Sequence, residues 1–277
     1  MPDLHEPPDW SDVAARITHE SVRRVMVVGA ADVGKSTFCH FLLRTARAGG
    51  RTAALLDTDV GQKTVGPPAC VTVAEGDSSK LVFVGTTDPV QGWRRVVDGA
   101  RWLAHEVNSD LVIVNTSGLL AGPGRRLKAD KIAAIQADRL IAIGGGSDLE
   151  HIISDHPTVP VLCLARSPVA RRKTDAARRA RRQQAFRSYF VDAAMQVFAC
   201  GLVPGTLQSQ LQAGVLVGLA DERATDLGLG IIVEASSPTA LSVLTPVVSG
   251  SVHQVTPGFV CVREDFSEVR LSQDEQR

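Results

Sequence analysis

Apolar residues occur along this chain in short unbroken runs, and between the runs they recur at three- and four-residue steps. Val25–Val28 runs into Gly29, and Thr52–Asp57, Leu111–Asn115, Leu140–Ile143 and Val159–Leu164 are of the same kind. Runs this short, without polar alternation, predict strands buried on both faces, as in a parallel sheet. Between them, Ser36–Ala48 predicts a helix with Phe38, Phe41, Leu42 and Thr45 towards the sheet, and Gly49-Gly50 stops it. Residues 93–107 predict another through Val96, Val97, Ala100, Leu103 and Val107, on which Trp93 and Trp102 read as core. A third covers roughly residues 126–138. Val71–Glu75 and Leu81–Gly85 flank Gly76-Asp77-Ser78-Ser79 and predict a hairpin. Strands alternating with helices imply an α/β fold with a doubly wound parallel sheet.

The texture changes at both ends. Residues 1–22 read as an extension ending in a short helix, with Val13, Ala14 and Ile17 at helical spacing. After Pro204 the chain turns β-rich: Gly228–Ala235, Leu241–Val248, Val252–Val255 and Phe259–Val262 are separated by Gly and Pro turns. The expected organisation is an extension (1–22), a main α/β domain (23–205) and a small C-terminal β-rich module (206–277).

Charge adds something the net value hides. The 30 basic and 30 acidic residues cancel, yet nine of the basic ones fall between Arg166 and Arg187 beside one acid, Asp175. A cationic segment, read as a helix reaching Phe190 and extending beyond the core, therefore sits on an acidic body. The five cysteines are odd in number, widely spaced and without a Cys/His cluster, so they read as free, mostly core thiols, and zinc is not expected. The acidic, proline-rich start lacks the features of a signal peptide, and no apolar stretch reaches spanning length. A cytoplasmic protein with no membrane partner is expected.

The chemistry centres on Gly29-Ala30-Ala31-Asp32-Val33-Gly34-Lys35-Ser36-Thr37. It has the G-x-x-x-x-G-K-[ST] form, placed between a buried strand and a helix start. The glycines let backbone N–H groups turn inward into an anion cradle, and the following helix adds its dipole. Residues Gly29 and Asp32 to Thr37 are the expected ATP-binding set. Lys35 reaches the terminal phosphates and Ser36 is the expected Mg²⁺ ligand. The fold class sharpens to a P-loop NTPase.

Three strand ends converge on such a loop. Leu56-Asp57-Thr58-Asp59-Val60-Gly61-Gln62 carries two acids two residues apart, on one side of an extended strand end, suited to Mg²⁺ or to accepting a proton. Asp57 is the expected metal-side acid, and Gln62 a further candidate. Asn115-Thr116-Ser117-Gly118 is a polar turn whose Thr116 is a candidate phosphate or Mg²⁺ contact. Gly85-Thr86-Thr87-Asp88-Pro89 is a third strand-end segment, equally readable as a plain turn. In the basic segment Arg178 and Arg182 share a helix face, while Arg187 stands about 140° away from Arg182. With few acids to compensate them, these arginines suit a polyanion, whether ATP phosphates or a nucleic-acid backbone.

At these residues the chain resembles the polynucleotide 5′-hydroxyl kinases, a family with members in mRNA 3′-end formation, tRNA splicing and ribosomal RNA processing. The resemblance runs through the phosphate loop with its Asp32, through Asp57-x-Asp59-x-Gly61-Gln62, Pro67-Pro68 and Asn115-Thr116-x-Gly118. It continues through Arg178-Arg179-x-x-Arg182-x-x-x-x-Arg187-x-Tyr189-Phe190, Leu227–Ile231 and Leu244-Thr245-Pro246. It implies an ATP- and Mg²⁺-dependent kinase acting on single-stranded or fraying 5′ ends. Asp59 would then be the general base, Lys35 and Ser36 would hold phosphates and metal, and Arg182 and Arg187 would be lid arginines with catalytic roles. Where many members carry Trp after the Asn-Thr-x-Gly turn, this chain has Leu119. The resemblance is expected to be that of a short form lacking the large N-terminal domain of the eukaryotic members.

Three other readings compete. A GTPase needs [NT]-K-x-D, and the nearest match, Arg172-Lys173-Thr174-Asp175, departs at its first position. A partitioning-type ATPase places a second Lys where Ala30 stands. A catalytically idle ATP-binding adaptor for RNA processing is the third, opposed by the retained Asp59 and arginines.

Overall fold

A computed structural model of the chain describes residues 6–235 and 240–271. Contacts divide it into two units, Met1–Asp59 with Thr72–Ser79 and Val96–Lys173, and Val60–Val71 with Lys80–Arg95 and Thr174–Arg277.

The first unit contains the parallel strands of a sheet of order β4-β3-β2-β5-β1-β6-β7. Its strands are β1 (Arg24–Gly29), β2 (Ala53–Asp57), β3 (Cys70–Glu75), β4 (Ser78–Phe83), β5 (Leu111–Asn115), β6 (Arg139–Ile143) and β7 (Val161–Leu164). The apolar runs of β1, β2, β5 and β6 are almost wholly buried and pair in parallel. The doubly wound α/β sheet is as expected, with an antiparallel margin beyond β2. β3 pairs antiparallel with β2, and a two-residue turn at Gly76, φ +60°, leads from β3 straight into β4. The hairpin is tighter than expected, because β4 begins at Ser78.

The helices of this unit are α1 (Pro8–His19), α2 (Lys35–Ala48), α3 (Trp93–Glu106), α4 (Pro123–Ile135) and α5 (Ser147–Ser154). The residues preceding β1 form more than an extension. Trp10, Ala14 and Ile17 of α1 are buried, and Trp10 packs edge-on against Phe38 of α2 at 5.2 Å and near Phe41 at 5.6 Å. Part of the α2 face expected against the sheet therefore meets α1 instead, and Thr45 is only half-buried. On α3 the stripe of Val96, Val97, Ala100 and Leu103 is buried as expected, but Trp102 is off it and exposed. The short α5 lacks a long enough apolar repeat to be seen in sequence. α4 begins three residues earlier than expected, with Pro123 at its first turn.

The second unit carries a six-stranded antiparallel sheet of order β13-β12-β9-β10-β11-β8. Its strands are β8 (Ala194–Ala199), β9 (Val215–Ala220), β10 (Asp226–Glu234), β11 (Ala240–Thr245), β12 (Gln254–Val262) and β13 (Glu268–Arg270). The two runs expected around Pro257-Gly258 are one strand with a register shift there. The basic helix is α6 (Asp175–Tyr189). It is shorter than the charge run, since residues 165–174 are loop. It does not simply project: Phe186 and Phe190 are buried in a cluster with Leu216, Leu229 and Val260. Cys39, Cys70 and Cys200 are buried, Cys261 is half-buried and Cys163 is exposed. Among the described residues no helix is long and apolar enough to cross a membrane.

Candidate active site

The phosphate loop is shaped by sterics. A Cβ on Gly29 would lie 2.5 Å from the Ile143 carbonyl oxygen of β6, so only glycine lets β1 leave the sheet here. Asp32 and Gly34 take positive φ, +60° and +106°, and Gly34 caps α2. Val33 is buried, and Thr37 sits half-buried on the first turn of α2. The Asp32 carboxylate accepts from the backbone N–H of Lys173 and from its Nζ, each at 3.0 Å, and so ties the loop before α6 onto the phosphate loop.

Lys35 is buried, and its Nζ donates to Ala30 O at 2.7 Å. Burial pulls its pKa down to about 8, against the attraction of Asp59 and the smaller one of Asp32. One residue on, Ser36 Oγ lies 3.4 Å from Asn115 Oδ1. Asn115 in turn donates from Nδ2 to Asp57 Oδ1 at 3.0 Å, and the same carboxylate oxygen accepts the Asp59 backbone N–H at 3.1 Å. Asp57 is fully buried while Asp59 is half-buried. β2 and β5 end in register, Asp57 opposite Asn115, and this pairing brings the two strand-end motifs together.

Gly118 closes the group. A Cβ there would lie 2.4 Å from the backbone of Ala31, so the Asn-Thr-Ser-Gly turn packs directly on the phosphate loop. The Thr116 hydroxyl points inward and donates to Val27 O at 2.8 Å. The first unit thus assembles Lys35, Ser36, Asp57, Asp59 and Asn115 in one place.

The remaining candidates belong to the second unit. Gln62 donates from Nε2 to its neighbour Gly61 O at 2.9 Å and to Arg178 O at 3.3 Å. Arg182 is paired with Glu268 of β13, both largely buried. Arg187 donates from Nη2 to Asp265 O at 3.2 Å, beside Gln183, which donates to the same oxygen.

Two residues escaped the sequence reading. Lys128 and Lys131 of α4 are fully buried. Lys128 Nζ donates to Leu119 O at 3.1 Å and Ser117 Oγ at 3.3 Å, and Lys131 Nζ to Thr58 Oγ1 at 2.9 Å. The signal was present: both lysines lie on the stripe of Leu127, Ile132 and Ile135 that α4 buries.

The profile of the family described as mRNA cleavage and polyadenylation factor CLP1 P-loop matches residues 29–192, more than half of the chain. The chain belongs to the CLP1 P-loop family. It is 32% identical over 200 residues to a polyribonucleotide 5′-hydroxyl-kinase of Pyrococcus horikoshii, a match covering 67% of this chain and 55% of that one. A Methanocaldococcus jannaschii kinase of the same name is 33% identical over 142 residues, 47% of this chain and 39% of its own. The aligned segment thus spans about half the length of these two relatives or less. A Pyrococcus abyssi namesake aligns over 91% of this chain and 92% of its own at 26% identity. In fold, Clp1p in a Clp1p–Pcf11p complex superposes with a TM-score of 0.71, covering 93% of this chain and 82% of that one at 13% identity. That likeness places the β-rich second unit, as well as the P-loop unit, within the CLP1 fold.

Proposed function

We propose that this chain is an ATP-dependent polynucleotide 5′-hydroxyl kinase. The observation that carries the reading is the first unit's cluster, in which a half-buried Asp59 stands beside Lys35 and an oxygen-donor set of Ser36, Asp57 and Asn115. The names of the Pyrococcus relatives, polyribonucleotide 5′-hydroxyl-kinases, support it.

The residues fit Mg²⁺–ATP. A hydroxyl, an amide oxygen and carboxylates are hard donors suited to Mg²⁺, and the glycine-shaped loop opens N–H groups to phosphate. Ser36 and Asp57 would hold the ion, and bound Mg²⁺–ATP would supply the transferable phosphoryl group and neutralise its charge. Lys35 exchanges Ala30 O for phosphate oxygen. Asp59 accepts the proton of the 5′-hydroxyl as that oxygen bonds to the terminal phosphorus and the bond to ADP breaks. Arg182 and Arg187 are the proposed stabilisers of charge on the transferring group, with Arg178, Gln62 and Thr116 in supporting places. The proposed acceptor is a single-stranded or fraying end, the proposed setting cytoplasmic. The proposed division remains a P-loop kinase domain with an arginine-rich lid, followed by a β-rich module.

Asp59→Asn tests the assignment. It keeps the shape without accepting the proton, so transfer to 5′-hydroxyl oligonucleotides should fall by roughly 10²–10⁴ while ATP binding persists. Oligonucleotides already 5′-phosphorylated should remain unlabelled. Normal transfer by Asp59→Asn, with loss in Asp57→Asn, would move the base to the other carboxylate.

A further inference from the structure

The phosphate-loop lysine is not the only buried ammonium in the first unit. Lys128 and Lys131 lie one turn apart on α4, both fully buried, and each holds a different strand-end segment. Lys131 donates to the Thr58 hydroxyl, which donates at 2.8 Å to Asn115 O, while the Thr58 backbone N–H reaches the same carbonyl at 3.0 Å. Thr58 stands between Asp57 and Asp59, so this chain of bonds fixes the segment carrying both acids to the Asn115 turn. Lys128 fixes that turn from its far side, through Ser117 and Leu119.

Burying an amine against hydroxyls and carbonyls is unfavourable, and a well-packed apolar side chain of similar volume is often as stable or more so. Burial, Lys131 and Lys35 all push the Lys128 ammonium towards its neutral form, and Asp59 opposes them. Two such groups on consecutive turns of one helix are poor devices for stability alone. They are well placed to fix Asp59 and the Ser117–Leu119 backbone relative to Lys35, all of which lie in this unit.

We propose that Lys128 and Lys131 are positioning residues for phosphoryl transfer. Together they clamp the acid segment and the Asn-Thr-Ser-Gly turn in reactive register. This rests on the kinase reading above. Displacement of a reacting group by about an ångström is enough to lower turnover by ~10²-fold.

The experiment measures steady-state transfer to a 5′-hydroxyl oligonucleotide, with thermal midpoints, for the whole chain. Lys131→Met and Lys128→Met should keep or raise the midpoint and leave KM for ATP within about threefold, while kcat falls by about 10–100-fold. Lys131→Arg, which keeps the charge, should retain more of kcat than Lys131→Met. Thr58→Val removes the hydroxyl and should lower kcat comparably, and the double variant Thr58→Val/Lys131→Met should lose little more than either alone. Wild-type kcat in the Met variants, or fully additive losses in the double variant, would overturn the proposal. If the Met variants do not fold, wild-type kcat in Thr58→Val does so alone. A wild-type chain that labels no 5′-hydroxyl end removes the kinase reading and this inference together; an active wild type with unaffected variants removes the inference only.

Discussion

Gly118 has no room for a methyl group. Its neighbour is the Ala31 backbone, which cannot swing aside as a side-chain tip would, so Gly118→Ala must displace the phosphate loop. Overpacking of this kind costs about 1–3 kcal/mol, and here it falls on the loop that receives ATP. Gly118→Ala should weaken ATP binding measured by calorimetry by more than it lowers the thermal midpoint; unchanged affinity would count against the contact. Asp226 is a different kind of residue, an acid used structurally. Its Oδ2 accepts the Phe83 N–H at 2.9 Å, and burial raises its pKa above the ordinary 3.8, with Arg95 and that hydrogen bond opposing. A raised carboxylate pKa in the folded state means stability that is present below the unfolded value and lost as pH climbs through the window above 3.8. Asp226→Asn does not titrate, so its midpoint relative to wild type should move upward between pH 3.5 and pH 7. A difference that is flat with pH would contradict the burial argument.

Among the elements, α1 is the clearest case of structure earned by packing. Its Trp10 is 1% exposed, is edge-on to Phe38, and passes 3.7 Å from where a Cβ on Gly34 would stand. Trp10→Ala should cost about 3–5 kcal/mol, seen in chemical denaturation, because truncating a fully buried aromatic leaves a cavity. Exposed Trp102 gives the control: its truncation should change stability little. That contrast also marks what the sequence made legible. β1, β2, β5 and β6 could be read because strands buried on both faces are unbroken apolar runs, and α2 because glycines bound it. The phosphate loop and the Asp57–Asp59 segment could be read because each follows a strand end; in the Asn-Thr turn the expected residue was Thr116, whereas Asn115 is the one bonded to Ser36 and Asp57. β8 was missed because it is an edge strand with Met195 and Val197 exposed, so its pattern does not alternate in the usual sense. β13 is too short to carry a pattern, and β9 is an apolar run masked by its glycine. The buried lysines were missed because lysine on a helix is normally solvated.

Over the whole molecule, the chain passes from one unit to the other between Asp59 and Val60, so a single motif, Asp57 to Gln62, is shared by both. The arginine helix α6 belongs to the second unit, while the phosphate loop and Asp59 belong to the first. Cationic charge concentrated between Arg166 and Arg187 on an otherwise acidic chain should favour acceptors with several phosphates. Affinity should therefore rise over the first few nucleotides and then level, and with Leu119 in place of a stacking aromatic it should depend little on the first base. The most direct measurement is transfer of labelled γ-phosphate to 5′-hydroxyl oligonucleotides of increasing length at two salt concentrations, with GTP hydrolysis followed alongside. Labelled strands are expected, with binding that weakens with salt at a log–log slope of about −0.7 per contacted phosphate. No labelled product at any length, with brisk GTP hydrolysis, would contradict the kinase reading.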